Sequence, residues 1–381
     1  MKKLALSLAV LASVFAGCSS DDDNNINYPA VPAEGTLSGN ITSDLTLNAG
    51  TVYTLTGATY VKPGVTLTIP AGTVIQADAA HAATAFLAIE KGARINAQGT
   101  ADNPILFTSN SDSPEPGDWG GLVICGNAIT NLGENAQAEV TGLTYGGNNP
   151  TENSGTLSHI IIEYSGNIIT GESEFNGLTF YAVGSGTTVN NILVRWGSDD
   201  GIEWFGGSVG GTNLAVIGCQ DDSFDWTEGW NGSVSNLYSD QSSAVGASSD
   251  SRGIEADNNQ GNPNLAPISH PTLSNVTLLG RNTNSVPKEA GAWLRRGTRA
   301  TINNLYIANF KSADSGSGYG INFDGGDSTA WFTANPLTNV TISNTSAVTN
   351  LAPGIGYQST AAATGAGNGA AIPSWMNWME L

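Results

Sequence analysis

Carboxylates recur at a fixed place in neighbouring copies of a short repeat, and they are the side chains best placed to do chemistry. Glu203, Asp225 and Glu255 each stand in the middle of an apolar, outward, apolar triplet, and Asp200 and Asp222 come three residues before the first two. If successive triplets stack as neighbouring parallel strands, these carboxylates lie about 5 Å apart. Each like-charge pair would then cost about 3 kcal/mol at an effective dielectric constant of about 20. The acids therefore need a compensating partner.

Three partners would remove that cost: a bound cation, a shared proton with a raised pKa, or an arginine. Ligands that are all oxygen atoms and have access to water favour Ca²⁺ over transition metals. The hypothetical calcium ligands are Asp200, Glu203, Asp222 and Asp225. Arg252, in register with Asp200 and Asp222, is the arginine that could neutralise these acids from within the protein. In that case the acids would form only a charge-compensated stripe without a ligand.

The same acids allow two catalytic hypotheses. Glu203 and Asp225 at about 5 Å would match the carboxylate pair of a retaining glycosidase. A polysaccharide lyase would instead use Ca²⁺ to bind uronate carboxylates, with Arg295 as the base. The candidate catalytic residues are therefore Glu203, Asp225 and Arg295.

A binding hypothesis uses outward aromatic side chains beside the acids. The candidate ligand-binding residues are Tyr181, Phe205, Glu255, Asp257 and Trp293. Trp230, in the loop after the third triplet, adds another indole. Flat apolar faces next to polar groups suit sugar rings, so a glycan is the expected ligand. The alternative is that these aromatics cover the coils or pack beneath a loop.

Short strands must position these side chains, because each triplet alternates at period 2. The six copies are Leu178-Thr179-Phe180, Ile202-Glu203-Trp204, Phe224-Asp225-Trp226, Ile254-Glu255-Ala256, Ala292-Trp293-Leu294 and Ile321-Asn322-Phe323. The first and third residues of each copy are predicted to face inward. Two longer insertions, between Glu255 and Asn275 and between Asn322 and Asn339, should overhang one face.

A second motif, an asparagine followed by an aliphatic residue, recurs once after each triplet. Its copies begin at Asn191, Asn213, Asn236, Asn275, Asn304 and Asn339. Asparagine tolerates the left-handed backbone region, and its amide both donates and accepts hydrogen bonds. The asparagines should therefore form a ladder at one turn of stacked coils, and His159 before Ile160-Ile161-Ile162 is a substitute rung.

This pattern resembles the pectate-lyase-like superfamily of right-handed parallel β-helices, whose asparagine ladder occupies such a turn. The segments 118–124, 199–207 and 221–226 resemble, more narrowly, a group of Bacteroidota surface lipoproteins without a settled biochemical role. The expected fold is all-β, a single-stranded right-handed parallel β-helix (solenoid) over residues 36–350. A fold of this kind does not by itself specify an activity.

Composition agrees with a turn-rich β chain and excludes some partners. The 381 residues include 48 glycines, only 12% are charged, and the formal net charge is −20. Such a surface repels phosphate backbones, so no nucleic-acid partner is expected. Cys125 and Cys219 follow aliphatic runs several coils apart, and both are predicted to be inert core residues without a disulfide.

The N-terminus predicts export and lipid anchoring. Residues 1–17 read as a signal peptide whose apolar run is too short to span a bilayer. Its end, Phe15-Ala16-Gly17-Cys18, resembles a lipobox, which implies acylation of Cys18. Ser20 with Asp21, Asp22 and Asp23 resembles the surface-export signal of Bacteroidota lipoproteins. Residues 18–35 are then a tether at the outer face of the outer membrane.

The remaining segments are a loop and a tail. Residues 127–154 are rich in Gly and Asn and are expected to protrude. Residues 351–381 comprise a Gly/Ala segment and an aromatic tail, which is expected to cap the last coil or, alternatively, to be a sorting or interaction tail. The sequence thus predicts a surface lipoprotein that binds a glycan on an acidic and aromatic strip. The alternatives are a polysaccharide lyase or glycoside hydrolase, and a non-catalytic structural or adhesive protein.

Overall fold

The computed structural model describes residues 33–140, 142–170, 173–314 and 317–379, which belong to one compact unit. The predicted signal peptide 1–17, Cys18 and the acidic signal Ser20 to Asp23 lie outside these residues. Within the described residues, no helix is long and apolar enough to cross a membrane.

Short strands make up most of the described chain. They are β1 (Ala33–Ile41), β2 (Leu45–Thr46), β3 (Val52–Val61), β4 (Thr66–Pro70), β5 (Val74–Ala77), β6 (Phe86–Ile89), β7 (Arg94–Gln98), β8 (Ile105–Ser109), β9 (Leu122–Cys125), β10 (Ala136–Gln137), β11 (Thr144–Tyr145), β12 (Gly155–Glu163), β13 (Ile168–Thr170) and β14 (Ser173–Glu174). The second half has β15 (Leu178–Tyr181), β16 (Thr188–Arg195), β17 (Ile202–Phe205), β18 (Gly211–Ile217), β19 (Phe224–Thr227), β20 (Ser233–Asp240), β21 (Arg252–Ala256), β22 (Thr272–Leu279), β23 (Ala290–Leu294), β24 (Thr301–Ala308), β25 (Tyr319–Phe323), α1 (Gly326–Ala334), β26 (Leu337–Ser343), β27 (Ala347–Thr349), β28 (Tyr357–Ser359) and a 3₁₀ turn at Ser374–Met376.

Parallel pairing between successive coils arranges these strands in three ladders. Sheet 1 follows successive coils from β9 through β15, β17, β19, β21, β23, β25 and β27. Strands β12, β16, β18, β20, β22, β24 and β26 each bend once, so that their first halves form sheet 2 and their second halves form sheet 3. This is the predicted parallel β-helix, and it continues to β28, past the expected end at residue 350.

The predicted triplets pair in register along sheet 1. Leu178, Ile202 and Phe224 follow one another in one column, and Phe180, Trp204 and Trp226 follow one another in the next. All twelve inward residues of the six triplets are no more than 2% exposed, and they line one continuous core. Burial of these apolar columns is the main force that holds the coils together.

The bend between sheets 2 and 3 carries the asparagine ladder. All six predicted asparagines have a positive φ, between 53° and 61°. Each later amide donates to the Oδ1 of the one before it, at 2.8 Å from Asn213 to Asn191 and at 2.9 Å from Asn275 to Asn236. His159 occupies the same bend with φ 50° and pairs with the Ser158 hydroxyl.

Residues 127–154, here called the cover loop, do not simply protrude. The hairpin β10–β11 folds back over the outward face of sheet 1. Val140, Leu143 and Tyr145 of the loop are buried with Val123 and Cys125 in a second apolar cluster. These buried apolar side chains hold the loop against sheet 1, although the segment as a whole is rich in Gly and Asn.

The C-terminal tail does not cap the last coil. Residues 360–379, here called the strap, run along the outer face of sheet 3, where Met376 and Met379 are buried against Ile161, Leu193 and Tyr238. Apolar residues of the outward column of sheet 3 cluster with the tail methionines, so the tail buries apolar surface there. The insertion between Asn322 and Asn339, which was expected to overhang one face, holds the helix α1.

Candidate functional site

The predicted acids do come together on sheet 1. Glu203 of β17 pairs with Asp225 of β19, which pairs with Glu255 of β21. Carboxylate oxygens of Asp200, Glu203 and Asp225 all lie within 4.8 Å of one another, and so do those of Asp222, Asp225 and Glu255. Asp225 belongs to both triples, so the four hypothetical calcium ligands form one connected cluster.

These carboxylates point out of the coil but are not freely solvated. Glu203 is 8% exposed, Asp222 is 3% exposed and Glu255 is 5% exposed, while Asp225 is partly exposed. Burial is the main cause that raises the pKa of Asp200, Glu203, Asp222 and Asp225 well above the ordinary range, and the neighbouring acids raise it further. The pKa of Glu255 rises to about 7, because burial outweighs Arg252 and Arg295.

Two oxygens of the cluster lack a partner. Asp222 Oδ1 and Asp225 Oδ1 are buried, and neither accepts a hydrogen bond from any described residue. Two other oxygens of the cluster do accept hydrogen bonds: Asn176 Nδ2 donates to Glu203 Oε2 at 2.5 Å, and the Asp222 amide donates to Asp200 Oδ1 at 3.0 Å. Unsatisfied buried carboxylate oxygens are costly, and a proton or a cation bound there would remove that cost.

Arginines neutralise only the upper end of the acid column. Arg252 contacts Glu255 at 3.0 Å and Asp222 at 3.6 Å; of the two acids with which it was expected to be in register, it reaches Asp222 and not Asp200. Arg295 pairs with Glu255 and contacts Asp257 at 2.7 Å. The described residues place no arginine or lysine within ion-pair distance of Asp200, Glu203 or Asp225.

These ion pairs correct three of the sequence hypotheses. Arg295 is a poor candidate for the base, because Glu255 and Asp257 raise the pKa of its guanidinium although burial opposes them. Glu255 and Asp257 were proposed to bind ligand, but their oxygens are engaged by Arg252, Arg295 and Arg296. Their main contribution is to hold these arginines in place.

Most of the predicted aromatic strip is also buried. Tyr181 is 2% exposed and Phe205 is 7% exposed, and their rings stack at 4.4 Å beneath the cover loop. Neither can offer a face to a sugar, which corrects both assignments. Trp230 is fully buried in the coil interior, where it stacks on Trp204 at 4.4 Å.

Trp293 remains partly exposed and is held rigidly. The Arg252 guanidinium lies 4.0 Å from the centre of one of its rings and the Arg295 guanidinium lies 4.5 Å away. Its indole N–H donates to Asp324 Oδ2 at 3.2 Å. Cation–π contacts of this kind fix the ring plane without covering the ring completely.

A pocket of about 200 Å³ opens beside this ring. Arg252, Lys288, Trp293, Tyr319 and Asn322 are among the residues that line it. The Lys288 side chain is exposed and makes no hydrogen bond or ion pair with the described residues. We call this the Trp293 pocket.

Sequence reasoning missed three residues of the site. Asn176 lies in the turn before β15, outside every triplet, and nothing in its spacing marks it as a donor to Glu203. Tyr319 pairs with Ala290 two residues before the triplets, so extending the register backwards would have found it. Lys288 belongs to a connection that has no counterpart in the other coils.

Comparison with known proteins supports the fold. A family model described as a pectate-lyase like beta helix domain matches residues 39–379. No curated protein matches the chain. Among solved structures, the chain is similar to the A-module of a mannuronan C-5 epimerase from Azotobacter vinelandii, with 10% identity, 77% of this chain and 91% of that chain covered, and a TM-score of 0.28. So low a TM-score supports no argument about function.

Proposed function

Because the chain belongs to the pectate-lyase-like β-helix family, we propose that it is a carbohydrate-binding protein whose Trp293 pocket holds an extracellular glycan. The family name refers to proteins that act on a polysaccharide. The observation that carries the proposal is the indole of Trp293, which is partly exposed, contacted by two guanidinium groups and placed at the wall of a pocket. A rigid aromatic face binds a sugar ring at a low entropy cost.

The polar groups around the ring would select the sugar. Lys288 places an exposed positive charge at the pocket, whereas the Arg252 guanidinium is already paired with Glu255 and Asp222. Asn322 and Tyr319 offer hydrogen-bonding groups. Glu289 also lines the pocket, but its carboxylate accepts from the backbone amides of Arg281 and Lys311. An acidic sugar therefore fits the pocket better than a basic one.

A glycan array, followed by calorimetry with oligogalacturonate and its neutral counterparts, tests this function. Trp293→Ala should weaken binding at least about tenfold, which corresponds to about 1.4 kcal/mol. Trp196→Ala is the matched control, since Trp196 is also partly exposed and has the Arg195 guanidinium 4.2 Å from its ring. Equal binding by the two variants would reject the Trp293 pocket.

We also propose that the acid cluster next to this pocket holds Ca²⁺. Asp200, Glu203, Asp222 and Asp225 supply only oxygen atoms, and two of these oxygens are buried without a partner. Such a donor set fits a hard cation better than a transition metal. When bound, the ion would supply positive charge that offsets the repulsion among the four carboxylates.

Thermal unfolding with excess Ca²⁺ and with chelator tests the cation. The free energy of unfolding should rise by about 2.7 kcal/mol when the free ion is 100-fold above its dissociation constant. Asp225→Asn should lose this gain, and without the ion it should be more stable than the wild-type protein, because one of the repelling charges is gone. Asp112→Asn, at an exposed site, is the control. A Ca²⁺ effect that persists in Asp225→Asn would count against the cluster.

A polysaccharide lyase or glycoside hydrolase is the second candidate. Oxygen atoms of Glu203 and Asp225 lie within 4.8 Å of each other, near the separation of about 5 Å used by retaining glycosidases. Incubation with uronate polysaccharides should then give unsaturated products or reducing ends, and Glu203→Gln should abolish them. If no product forms and Trp293→Ala does not change glycan binding, the structural or adhesive role is favoured.

We further propose that the protein is anchored by a lipid on Cys18 and displayed on the outer face of the outer membrane. The lipobox-like end of residues 1–17 and the acids Asp21, Asp22 and Asp23 support this location. Cys18→Ser should move the protein from the membrane fraction to the soluble fraction. Replacing the three acids with Ala should instead keep it in the membrane but protect it from protease added to intact cells.

A further inference from the structure

The strap builds a second pocket where a bare β-helix would have only a smooth sheet face. A cavity of about 590 Å³ lies between the strap and the turn that joins β7 to β8. Its walls include Asp102 and Pro104 from the turn, and Ser374, Trp375, Asn377 and Trp378 from the strap. We call it the tail pocket. It shares no lining residue with the Trp293 pocket.

Apolar anchors and partly exposed indoles alternate at this end of the strap. Met376 is 1% exposed and Met379 is fully buried, and both pack on the outer face of sheet 3. Trp375 and Trp378 remain partly exposed and line the cavity. The methionines are therefore sufficient to attach the strap, and the two indoles are available for another partner.

Both indoles are held in fixed positions. Trp375 Nε1 donates to the carbonyl of Ala366 at 2.9 Å. The Trp378 ring meets the His159 ring nearly edge-on at 5.0 Å. The Trp378 indole N–H is buried and has no hydrogen-bond partner among the described residues, so the ring itself is what Trp378 contributes to the pocket wall.

The polar groups of the tail pocket are free to bind a ligand. Within the described residues, the side chains of Asp102, Ser374 and Asn377 make no hydrogen bond, and all three residues are exposed. They provide a carboxylate, a hydroxyl and an amide, which can accept from and donate to sugar hydroxyls. No basic side chain is among the lining residues, so Asp102 gives the pocket a negative charge that disfavours acidic ligands.

We propose that the tail pocket binds a neutral oligosaccharide, at a site separate from the Trp293 pocket. Its volume falls within the range of about 300–1,000 Å³ that small-molecule sites occupy. Two fixed indole faces offer apolar contact to the ring carbons, and the three polar side chains pair with the hydroxyls. The chain therefore has two glycan sites of opposite charge preference, one on sheet 1 and one at the end of the strap.

Titration with short cello-, xylo- and manno-oligosaccharides, followed by calorimetry and tryptophan fluorescence, tests this proposal on the full chain. At least one of these probes should bind the wild-type protein, and Trp375→Ala should weaken that binding at least about tenfold. Asp102→Ala should also weaken it, and because Asp102 is exposed and lies outside the strap, the fold should be unaffected. Asp112→Ala is the matched control at another exposed aspartate.

The same titration on Trp293→Ala separates the two sites. Neutral oligosaccharides should bind this variant as they bind the wild-type protein, whatever becomes of acidic glycans. The proposal is overturned if none of the probes binds the wild-type chain, if binding survives both Asp102→Ala and Trp375→Ala, or if Trp293→Ala removes it.

Discussion

Glu228 links the cover loop to the coil stack through a single carboxylate. Its Oε2 accepts a hydrogen bond from the Tyr145 hydroxyl at 2.6 Å and another from Thr130 Oγ1 at 3.3 Å. Burial is the main cause that raises the pKa of Glu228 to about 7, and Glu139 on the same loop adds to it, while the two hydrogen bonds oppose the rise. One of the contacts that hold the loop is therefore made by a carboxylate whose pKa is raised to about 7.

This raised pKa makes the stability of the protein depend on pH. The folded protein binds the Glu228 proton more tightly than the unfolded chain, so the stabilisation is complete below about pH 4.5 and is lost as the pH rises through about 7. In chelator, the free energy of unfolding should fall across this window. Glu228→Gln should reduce the slope by up to about 1 kcal/mol per pH unit.

Urea denaturation at several pH values, with Glu134→Gln as the control, measures this slope. Glu134 is an exposed glutamate on the same loop, so its substitution should leave the slope unchanged. Identical slopes in Glu228→Gln and the wild-type protein would show that this carboxylate is not the titrating group.

Which acids meet could be predicted from the sequence, but how deeply they are buried could not. The positions of Glu203, Asp225 and Glu255 within their triplets fix their register, because the strands repeat at period 2. Their burial depends on neighbours that the triplets do not contain, such as Asn176 and the arginines that follow Glu255. Tyr181 and Phe205 show the same limit, since only the folded cover loop decides that they are not exposed.

At the scale of the element, the asparagine ladder joins backbone conformation to side-chain pairing. Asn236 has φ 61°, donates to Asn213 Oδ1 at 2.8 Å and accepts from Asn275 Nδ2 at 2.9 Å. Replacement with Gly keeps the left-handed backbone and removes only the amide. Replacement with Leu removes the amide and adds backbone strain.

The two substitutions should therefore differ in stability. Asn236→Gly should lower the free energy of unfolding by about 1–3 kcal/mol through the lost hydrogen bonds. Asn236→Leu should lose a further 1–2 kcal/mol, roughly, because its side chain crowds the left-handed backbone. Chemical denaturation measures both, with Asn303→Leu, at an exposed position of β24, as the control. An unchanged unfolding midpoint in Asn236→Leu would contradict a stabilising ladder.

Elements that repeat were predicted well, and elements that occur once were not. The triplets and the asparagines specified each other's register, so sheets 1 to 3 follow from the sequence. Helix α1 lies in a predicted insertion but was not itself predicted, and its hydrophobic contact through Phe332 with Phe323 is particular to one coil. A segment without copies gives no periodic pattern against which its place can be fixed.

At the scale of the whole molecule, the strap connects coils that do not touch one another. A solenoid is stabilised mainly by contacts between neighbouring coils, so its ends can unfold separately. The strap binds Asn304 Oδ1 through the amides of Thr364 and Gly365, and farther along it packs Trp378 on His159. Its Met376 and Met379 cover the outward column of sheet 3 in between.

Removing residues 360–381 should therefore reduce both stability and cooperativity. The outward face of sheet 3, with Ile161, Leu193 and Tyr238, would become exposed and bind a hydrophobic dye. The upper and lower coils should then unfold in separate steps, because the strap would no longer join the coil of His159 to the coil of Asn304. Met376→Ser with Met379→Ser makes a milder test, and each lost methionine should cost about 2–5 kcal/mol, as other large-to-small core changes do. Ile372→Ser, on the same strap but 57% exposed, is the control. A truncated chain that unfolds in one step at the wild-type midpoint would mean that the strap lies on the coils without holding them together.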